Sequence, residues 1–456
     1  MAFILHLSNK TESLIDKELI PLLDNAPHDP LMPERIIVQS QGMSAYLKKE
    51  LTRKRGQMCN LDLPFLNSYV NEILEKSLDD PPESEFFQPE IMGWQIYSIL
   101  QKIEYKYDIL QNYIAGKNQN LKRFQLAEKV AELFDNYQIY RPHLLNRWNR
   151  GKTASGEEWQ AEIWCRLSKG HVSRAQGFYD FIESDKINYP GERDHIIVFG
   201  ITTMAPVYLN FFRKLSELID IHFFATFYRD SELNISLDKI ANGDTIYGFD
   251  IAQQNEISQE NQFLSTNSRT GLDFELLLEN FADQKSFNYE SMNSETLLQK
   301  IQRAVINDQK NIAFNSDDSL QIHQTHNKMR EVEILYNNIL RILENNESIK
   351  LQDVTVIIPE LESYIPYLKA VFNRYNEDDK KYLPFRIADL SKISLQKLVE
   401  TFLAILNINN SRFKASYILN ILENSMVCDA FNICEDELEL IHKWVRESGI
   451  RWGLDE

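Results

Sequence analysis

"FILHLSNKTESL", residues 3–14, reads as strand, turn and helix. The apolar run from Phe3 to Leu7 has the length of a short buried strand. Thr11 is placed to cap a helix over 11–23, with Leu14, Ile15, Leu19, Leu22 and Leu23 as its apolar stripe. Lys10-Thr11 at a helix start, directly after a strand, is the setting of a phosphate-binding loop, whose backbone N–H groups surround the phosphates. The residues before it are Leu7, Ser8 and Asn9, with no glycine, so the tight nest of N–H groups is not expected.

Working outward, "RIIVQS" (35–40) is the next strand, and Gly42 opens a helix with Met43, Leu47 and Leu51 on one face. Strand, helix, strand, helix implies an α/β fold with a parallel sheet. From about 85 to 190 the pattern changes to amphipathic helices rich in aromatics, such as "MGWQIYSILQKI" and "FQLAEKVAELFDNYQIY", with no strand. "DHIIVFGITTM" (194–204) returns to a buried strand, followed by a helix ("PVYLNFFRKLSELI") and a strand ("IHFFATF", 221–227). The sheet therefore resumes after a helical insertion. Residues 230–315 are polar with weak periodicity and read as long loops with some helix.

A second alternating unit is expected from "SLQIHQT" (319–325). It continues through the helix "KMREVEILYNNILRIL" (328–343), a strand "VTVIIPE" (354–360), a helix "SYIPYLKAVFNRY" and a strand at "FRIAD" (385–389). The rest reads as helix. The chain stops at "GIRWGLDE" in mid-pattern, which reads as part of a longer protein.

A second Lys-Thr site lies in "NRGKTASG" (149–156). In the pattern GxxxxGK[ST] the first glycine falls at Asn146, no strand precedes it, and Arg147, Asn149 and Arg150 crowd the turn. A glycine-turned loop between helices is the expectation. The acidic residue that would hold magnesium at the end of a buried strand is missing too: after "HIIVF" come Gly200, Ile201, Thr202 and Thr203. The architecture suits a nucleotide-dependent motor, but both catalytic corners are empty. Neither GxSxG nor HExxH occurs.

Composition narrows the classes. The 456 residues are 43% hydrophobic, ample for packed cores. The net charge of −18 argues against a simple nucleic-acid coat, because phosphate binding needs clustered Lys and Arg. "YLKKELTRKRG" (46–56) is locally basic, with five cations that form either a solvated helix face or phosphate contacts. Cys59, Cys165, Cys428 and Cys434 form no CxxC pair, and His323 and His326 have no nearby ligand to complete a metal set. No apolar run reaches the ~18 residues of a membrane span, and the first residues lack the pattern of a signal peptide. A cytoplasmic protein without membrane contact is expected.

Several segments together resemble the RecC family, the gamma subunit of bacterial exodeoxyribonuclease V (the RecBCD enzyme). They are "IIVQSQGMSAYL" (36–47), "NLDLPF" (60–65), "ELFDNYQIYRP" (132–142), "VFGITTMAPVYL" (198–209), "HNKMREVEILYNNIL" (326–340), "ESYIPYLKAVF" (362–372) and "WVRESGIRWGLDE" (444–456). The resemblance is collinear along the chain apart from 230–315. It implies two RecA-like parallel-sheet domains of inactive superfamily 1 helicase type with helical insertions. The first would be 1–75 plus 191–318, with a helical insertion at 76–190. The second would start at 319–395, and 396–456 would be a truncated helical segment.

The resemblance also implies a role. A RecC-type subunit holds RecB-like and RecD-like motor subunits, splits duplex ends for double-strand break repair and homologous recombination, and guides single strands. It scans the 3′-ended strand for a Chi regulatory sequence. Such a chain carries no catalytic residue and no cofactor of its own; ATP and magnesium are used by the partner subunits. Carried over by position, the residues expected to read Chi-like DNA are Gln39, Gln41, Phe65, Leu133, Asp135, Arg141 and Arg174. Ala45 and Asn71 stand where the best-known members have a long polar and an aromatic residue. A simple i, i+6 surface pair of Asp135 with Arg141 is the alternative for those two. Two other functional classes stand beside this reading: an active ATP-dependent helicase using one of the Lys-Thr sites, and an acidic helical interaction scaffold without a DNA role.

Overall fold

The computed structural model describes residues 1–25, 32–56, 60–185, 187, 189, 191, 193–227, 262–290, 295–311, 313, 315, 317–387 and 393–453. The chain divides into two compact units, Met1–Leu320 and Gln321–Glu456.

The first unit is built on a six-stranded sheet. Its strands are β1 (Phe3–Ser8), β2 (Glu34–Val38), β3 (Leu61–Asp62), β4 (His195–Phe199), β5 (Asp220–Thr226) and β6 (Gln284–Phe287). They lie in the order β3-β2-β4-β5-β1-β6, and every pairing is parallel. A parallel sheet must be covered on both faces, and the alternation of side chains shows how. Phe3, Leu5 and Leu7 of β1 join Ile196 and Val198 of β4 in a core that includes Tyr69, Ile73, Phe211 and Phe212. On the other face Ile36, Val38, Ile197, Phe199 and Phe224 pack with Leu14, Ile15, Leu19, Leu47 and Leu51.

The first strand-to-helix turn leads into α1 (Thr11–Leu14), a π-helical turn (Ile15–Leu19) and α2 (Ile20–Asn25). Thr11 is not the cap expected from the sequence. Lys10 is the extended cap residue, and Ser8 Oγ accepts from Lys10 N because the chain turns one residue earlier. The helix α3 (Gln41–Arg55) is capped by Ser40, whose Oγ accepts from Met43 N. In its basic run Arg53 pairs with Glu50, Lys54 with Asp16 and Arg55 with Asp24.

The segment between β3 and β4 is helical: α4 (Leu66–Ser77), α5 (Pro89–Ile103), α6 (Asp108–Ile114), α7 (Gln119–Tyr140), α8 (Pro142–Asn149), α9 (Glu158–Leu167) and α10 (Arg174–Glu183). Phe134, Trp148 and Trp164 anchor its own core with Met92, Ile96 and Leu100. Then α11 (Pro206–Leu215) links β4 to β5.

The polar region 230–315 holds more structure than its composition suggests. Residues 228–261 lie outside the described residues. Beyond them come α12 (Gln262–Asn267), α13 (Arg269–Phe281), the edge strand β6 and α14 (Leu297–Ile306). The strand "QKSF" is polar and only half covered, so it carries no apolar signature; its register against Ile4–Leu7 defines it.

The second unit packs α15 (Lys328–Asn345) on α16 (Leu361–Phe372) through Val332, Tyr336, Ile339, Leu368 and Phe372. The expected strands at 319–325, 354–360 and 385–389 do not form among the described residues. Ile322 and Ile357 are about nine-tenths exposed. A strand needs a hydrogen-bonded neighbour, and β-branched composition alone does not supply one. Four further helices follow, α17 (Ile393–Leu406), α18 (Ala415–Leu422), α19 (Ser425–Phe431) and α20 (Glu435–Ser448).

Candidate nucleic-acid interface

In a parallel α/β sheet, ligands meet the crevice beyond the carboxyl ends of the strands. Three of the sequence-derived residues stand there. Gln39 follows β2, is exposed, and its Oε1 accepts from the backbone N–H and Oγ1 of Thr202, both at 3.3 Å. Gln41 is the first residue of α3 and is exposed. Phe65 pairs in parallel with Val38, caps α4, and leaves its ring 40% exposed. The bridge puts an aromatic face beside the strand end that carries Gln39.

Asp135 and Arg174 form a second group, on α7 and α10. Burial raises the Asp135 pKa, and the Arg174 charge opposes that rise. Arg174 follows the cap Ser173, and its backbone N–H donates to Gln138 Oε1 at 3.1 Å. Its Nε is buried with no hydrogen-bond partner, as is Gln138 Nε2. The Tyr208 hydroxyl donates to Asn67 Oδ1 at 2.6 Å, and the Arg174 charge acts on it. Burial, against that pull from Arg174, pushes the Tyr208 pKa up to about 12.

The remaining two candidates stand apart. Arg141 ends α7 and lies 5.6 Å from the centre of the Tyr137 ring. The charges that act on Asp135 are those of Arg174 and, in the opposite sense, Glu90, and no Asp135–Arg141 ion pair occurs among the described residues. Leu133 is half-buried on α7. Sequence reasoning did not single out Asn67, Gln138, Thr202 or Tyr208. Tyr208 lies in the segment "VFGITTMAPVYL", where helical periodicity marks it as a core residue and gives no sign of its hydroxyl partner.

Neither Lys-Thr site has the form of a phosphate loop. Gly151 sits at φ +73° between α8 and α9, and its N–H and that of Lys152 donate to Trp148 and Arg147 carbonyls. At the end of β1, Ser8 Oγ donates to the Asn288 carbonyl and Asn9 Nδ2 to the Glu290 carbonyl. Lys10 Nζ is bound to the Glu290 carboxylate. The residues present do not fit a nucleotide phosphate there, since its place beside Lys10 is taken by an acid. No helix among the described residues is long and apolar enough to cross a membrane.

The fold and this edge define an α/β protein with a parallel sheet, a helical insertion between β3 and β4, and a polar, aromatic-bearing strand-end surface without a glycine phosphate loop. Residues 3–308 match the family described as RecC, N-terminal domain, and residues 395–456 match the RecBCD enzyme subunit RecC fourth domain. The chain belongs to the RecC family. It is 28% identical to the RecBCD enzyme subunit RecC of Escherichia coli K12, over 94% of this chain and 43% of that protein. It is 26% identical to the Haemophilus influenzae protein of the same name, over 100% of this chain and 46% of that protein. The relative from Mycolicibacterium smegmatis is 23% identical over 100% of this chain and 43% of its own length. The chain thus spans less than half the length of these relatives.

Proposed function

We propose that this chain is the DNA-handling, non-catalytic part of a RecBCD-type helicase–nuclease that acts in double-strand break repair. RecB-like and RecD-like subunits are its partners and supply the ATP- and magnesium-dependent steps in the cytoplasm. The two units are then inactive helicase-like domains, 1–75 plus 191–318 and 319–395, carrying helical insertions at 76–190 and 396–456. The strand-end surface of Gln39, Gln41 and Phe65, with Asp135, Arg174, Leu133 and Arg141 on the insertion side, guides a single strand and scans it for a Chi-like sequence. The observation that carries this reading is family membership over 3–308 combined with a strand-end surface bearing an exposed aromatic ring and oriented amides. Single strands are held by stacking on aromatic faces and by cationic groups near the backbone.

The test is fluorescence anisotropy of labelled single-stranded DNA with the whole chain across a salt series. The expected result is binding that weakens as salt rises, with a lower slope for Arg174→Ala. Absence of binding at low salt overturns the DNA role and returns the acidic-scaffold reading.

A further inference from the structure

The edge strand β6 is held to the sheet by polar groups more than by apolar burial. Its inner neighbours show the contrast: all of β4 is buried, and so are the five central residues of β5. In β6, Gln284 and Lys285 are exposed and Ser286 and Phe287 are half-buried. From Gln284 to Glu290, Phe287 and Tyr289 are the side chains that reach the apolar core. No strand lies on the outer side of β6 among the described residues. Two locks supply the rest. Ser286 Oγ donates to Glu18 Oε1 at 2.6 Å, and Asn288 Nδ2 donates to the same oxygen. Past the strand, Asn9 Nδ2 donates to the Glu290 carbonyl at 2.8 Å, and the Glu290 backbone N–H donates to Asn9 Oδ1 at 3.0 Å. The Glu290 carboxylate then accepts from Ser13 Oγ at 2.5 Å, Lys10 Nζ at 2.8 Å and Lys17 Nζ at 3.1 Å. Ser13 is buried, but the side chains of both lysines are about half exposed and that of Glu290 about a third.

We infer that β6, with its flank to Glu290, is a detachable edge strand latched by the Glu290 carboxylate on Lys10, Ser13 and Lys17. This does not depend on the DNA-handling reading above. Segments with few buried apolar contacts and solvent-reachable hydrogen bonds open ahead of the rest of a fold. Exposed ion pairs are individually weak and are screened by salt, so a latch built from them yields to ionic strength. Release uncovers the edge of β1 at Ile4–Leu7, with which β6 is paired. An unpaired edge of this kind is a template for another strand, so the latch keeps it covered. Both locks lie on the segment that follows β1: Asn9, Lys10 and Ser13 at the turn into α1, then Lys17 and Glu18 on the π-helical turn. Docking of the last strand is thereby coupled to the turn that leaves the first.

The experiment is hydrogen–deuterium exchange of the whole chain, read by mass spectrometry on peptides covering β6 to Glu290 and, as the internal reference, β5. In the unaltered chain the β6 peptide is expected to exchange faster than the β5 peptide. Raising sodium chloride from about 0.05 M to about 0.5 M, which shortens the screening length, is expected to speed β6 alone. Glu290→Gln keeps the shape and removes the charge. It is expected to speed β6 exchange about fivefold, the worth of two exposed ion pairs, and to remove most of the salt effect. Lys17→Ala is expected to act in the same direction and less strongly. Exchange of β6 and β5 at one common rate in the unaltered chain overturns the inference. Acceleration of both strands together in Glu290→Gln overturns it too, because that marks loosening of the whole sheet. A β6 rate unchanged in both variants overturns the latch.

Discussion

Lys10 Nζ lies 2.8 Å from a carboxylate oxygen of Glu290, 280 residues away in sequence. Hydrogen bonds from Lys10, then Ser13 and Lys17, pull the Glu290 pKa down to about 2. The lysine that would face a phosphate in a working loop is satisfied inside the chain. Magnesium-ATP is therefore expected to leave the melting temperature unchanged, because a ligand stabilises only the state that binds it. A rise in melting temperature that Lys10→Ala removes would restore the active-helicase reading.

Glu104 and Arg123 form a two-pronged ion pair inside the helical insertion, with both side chains under a tenth exposed. Removing one partner strands a buried charge. Arg123→Met is expected to cost about 3 kcal/mol, and the double change Arg123→Met with Glu104→Leu to recover most of it. Urea unfolding of the two variants measures this, and equal losses in the single and double variants would contradict it.

Three histidines on one sheet face couple stability to pH. His6 Nε2 meets His222 Nδ1 at 3.0 Å, while Glu18 holds the other His6 nitrogen and Glu34 holds His195. Burial, reinforced by the His6 and His195 charges, lowers the His222 pKa to about 4. A depressed histidine favours the neutral folded form, so its contribution is full above ~6.5 and is lost as pH falls from there towards the folded value. The loss is about 3 kcal/mol if the whole shift is expressed. His195 acts in the opposite sense: against its burial, Glu34 and Asp194 raise its pKa, so its contribution is present at low pH and fades as pH rises through that raised value. His222→Gln is expected to flatten the fall in melting temperature between pH 6.5 and pH 4. An unchanged pH profile would refute the assignment.

Gly177 on α10 packs against Pro82. A Cβ at 177 would lie 2.3 Å from Pro82 Cγ, well inside contact distance. Gly177→Ala is expected to destabilise the protein by about 1–3 kcal/mol, the cost of overpacking a rigid contact. Thermal unfolding checks it, and Gly151→Ala, with open space around its Cβ, separates this clash from the strain of positive φ.

Much of the first unit was legible in the sequence. The runs at 3–7, 35–40, 194–199 and 221–227 are apolar throughout because the strands they form are buried on both faces. The helices α3, α5, α7 and α11 carry their periodic stripes. The edge strand β6 was not legible: a strand covered on one side has no need of apolar residues, and "QKSF" has only Phe287 to offer. In the second unit the opposite error arose. "VTVIIPE" has the residues of a buried strand, but Ile357 is exposed and no partner strand lies beside it among the described residues.

At the candidate interface, the strand expected at 35–40 placed Gln39 and Gln41 at a strand end, Phe65 came from the family resemblance alone, and spacing argued against a glycine phosphate loop at either Lys-Thr pair. Those are local properties, fixed by side-chain size and by backbone freedom within a few residues. Which groups face one another was decided only by the tertiary structure. Asp135 was open to pairing with Arg141, six residues on, but the cationic charge that acts on it is that of Arg174, on α10. The orientation of Asn67 depends on Tyr208, 141 residues away, and the state of Lys10 depends on Glu290. Hydrogen bonds and charge act through space over a few ångströms, so their partners are set by how the sheet and the helical insertion close, and not by any spacing along the chain.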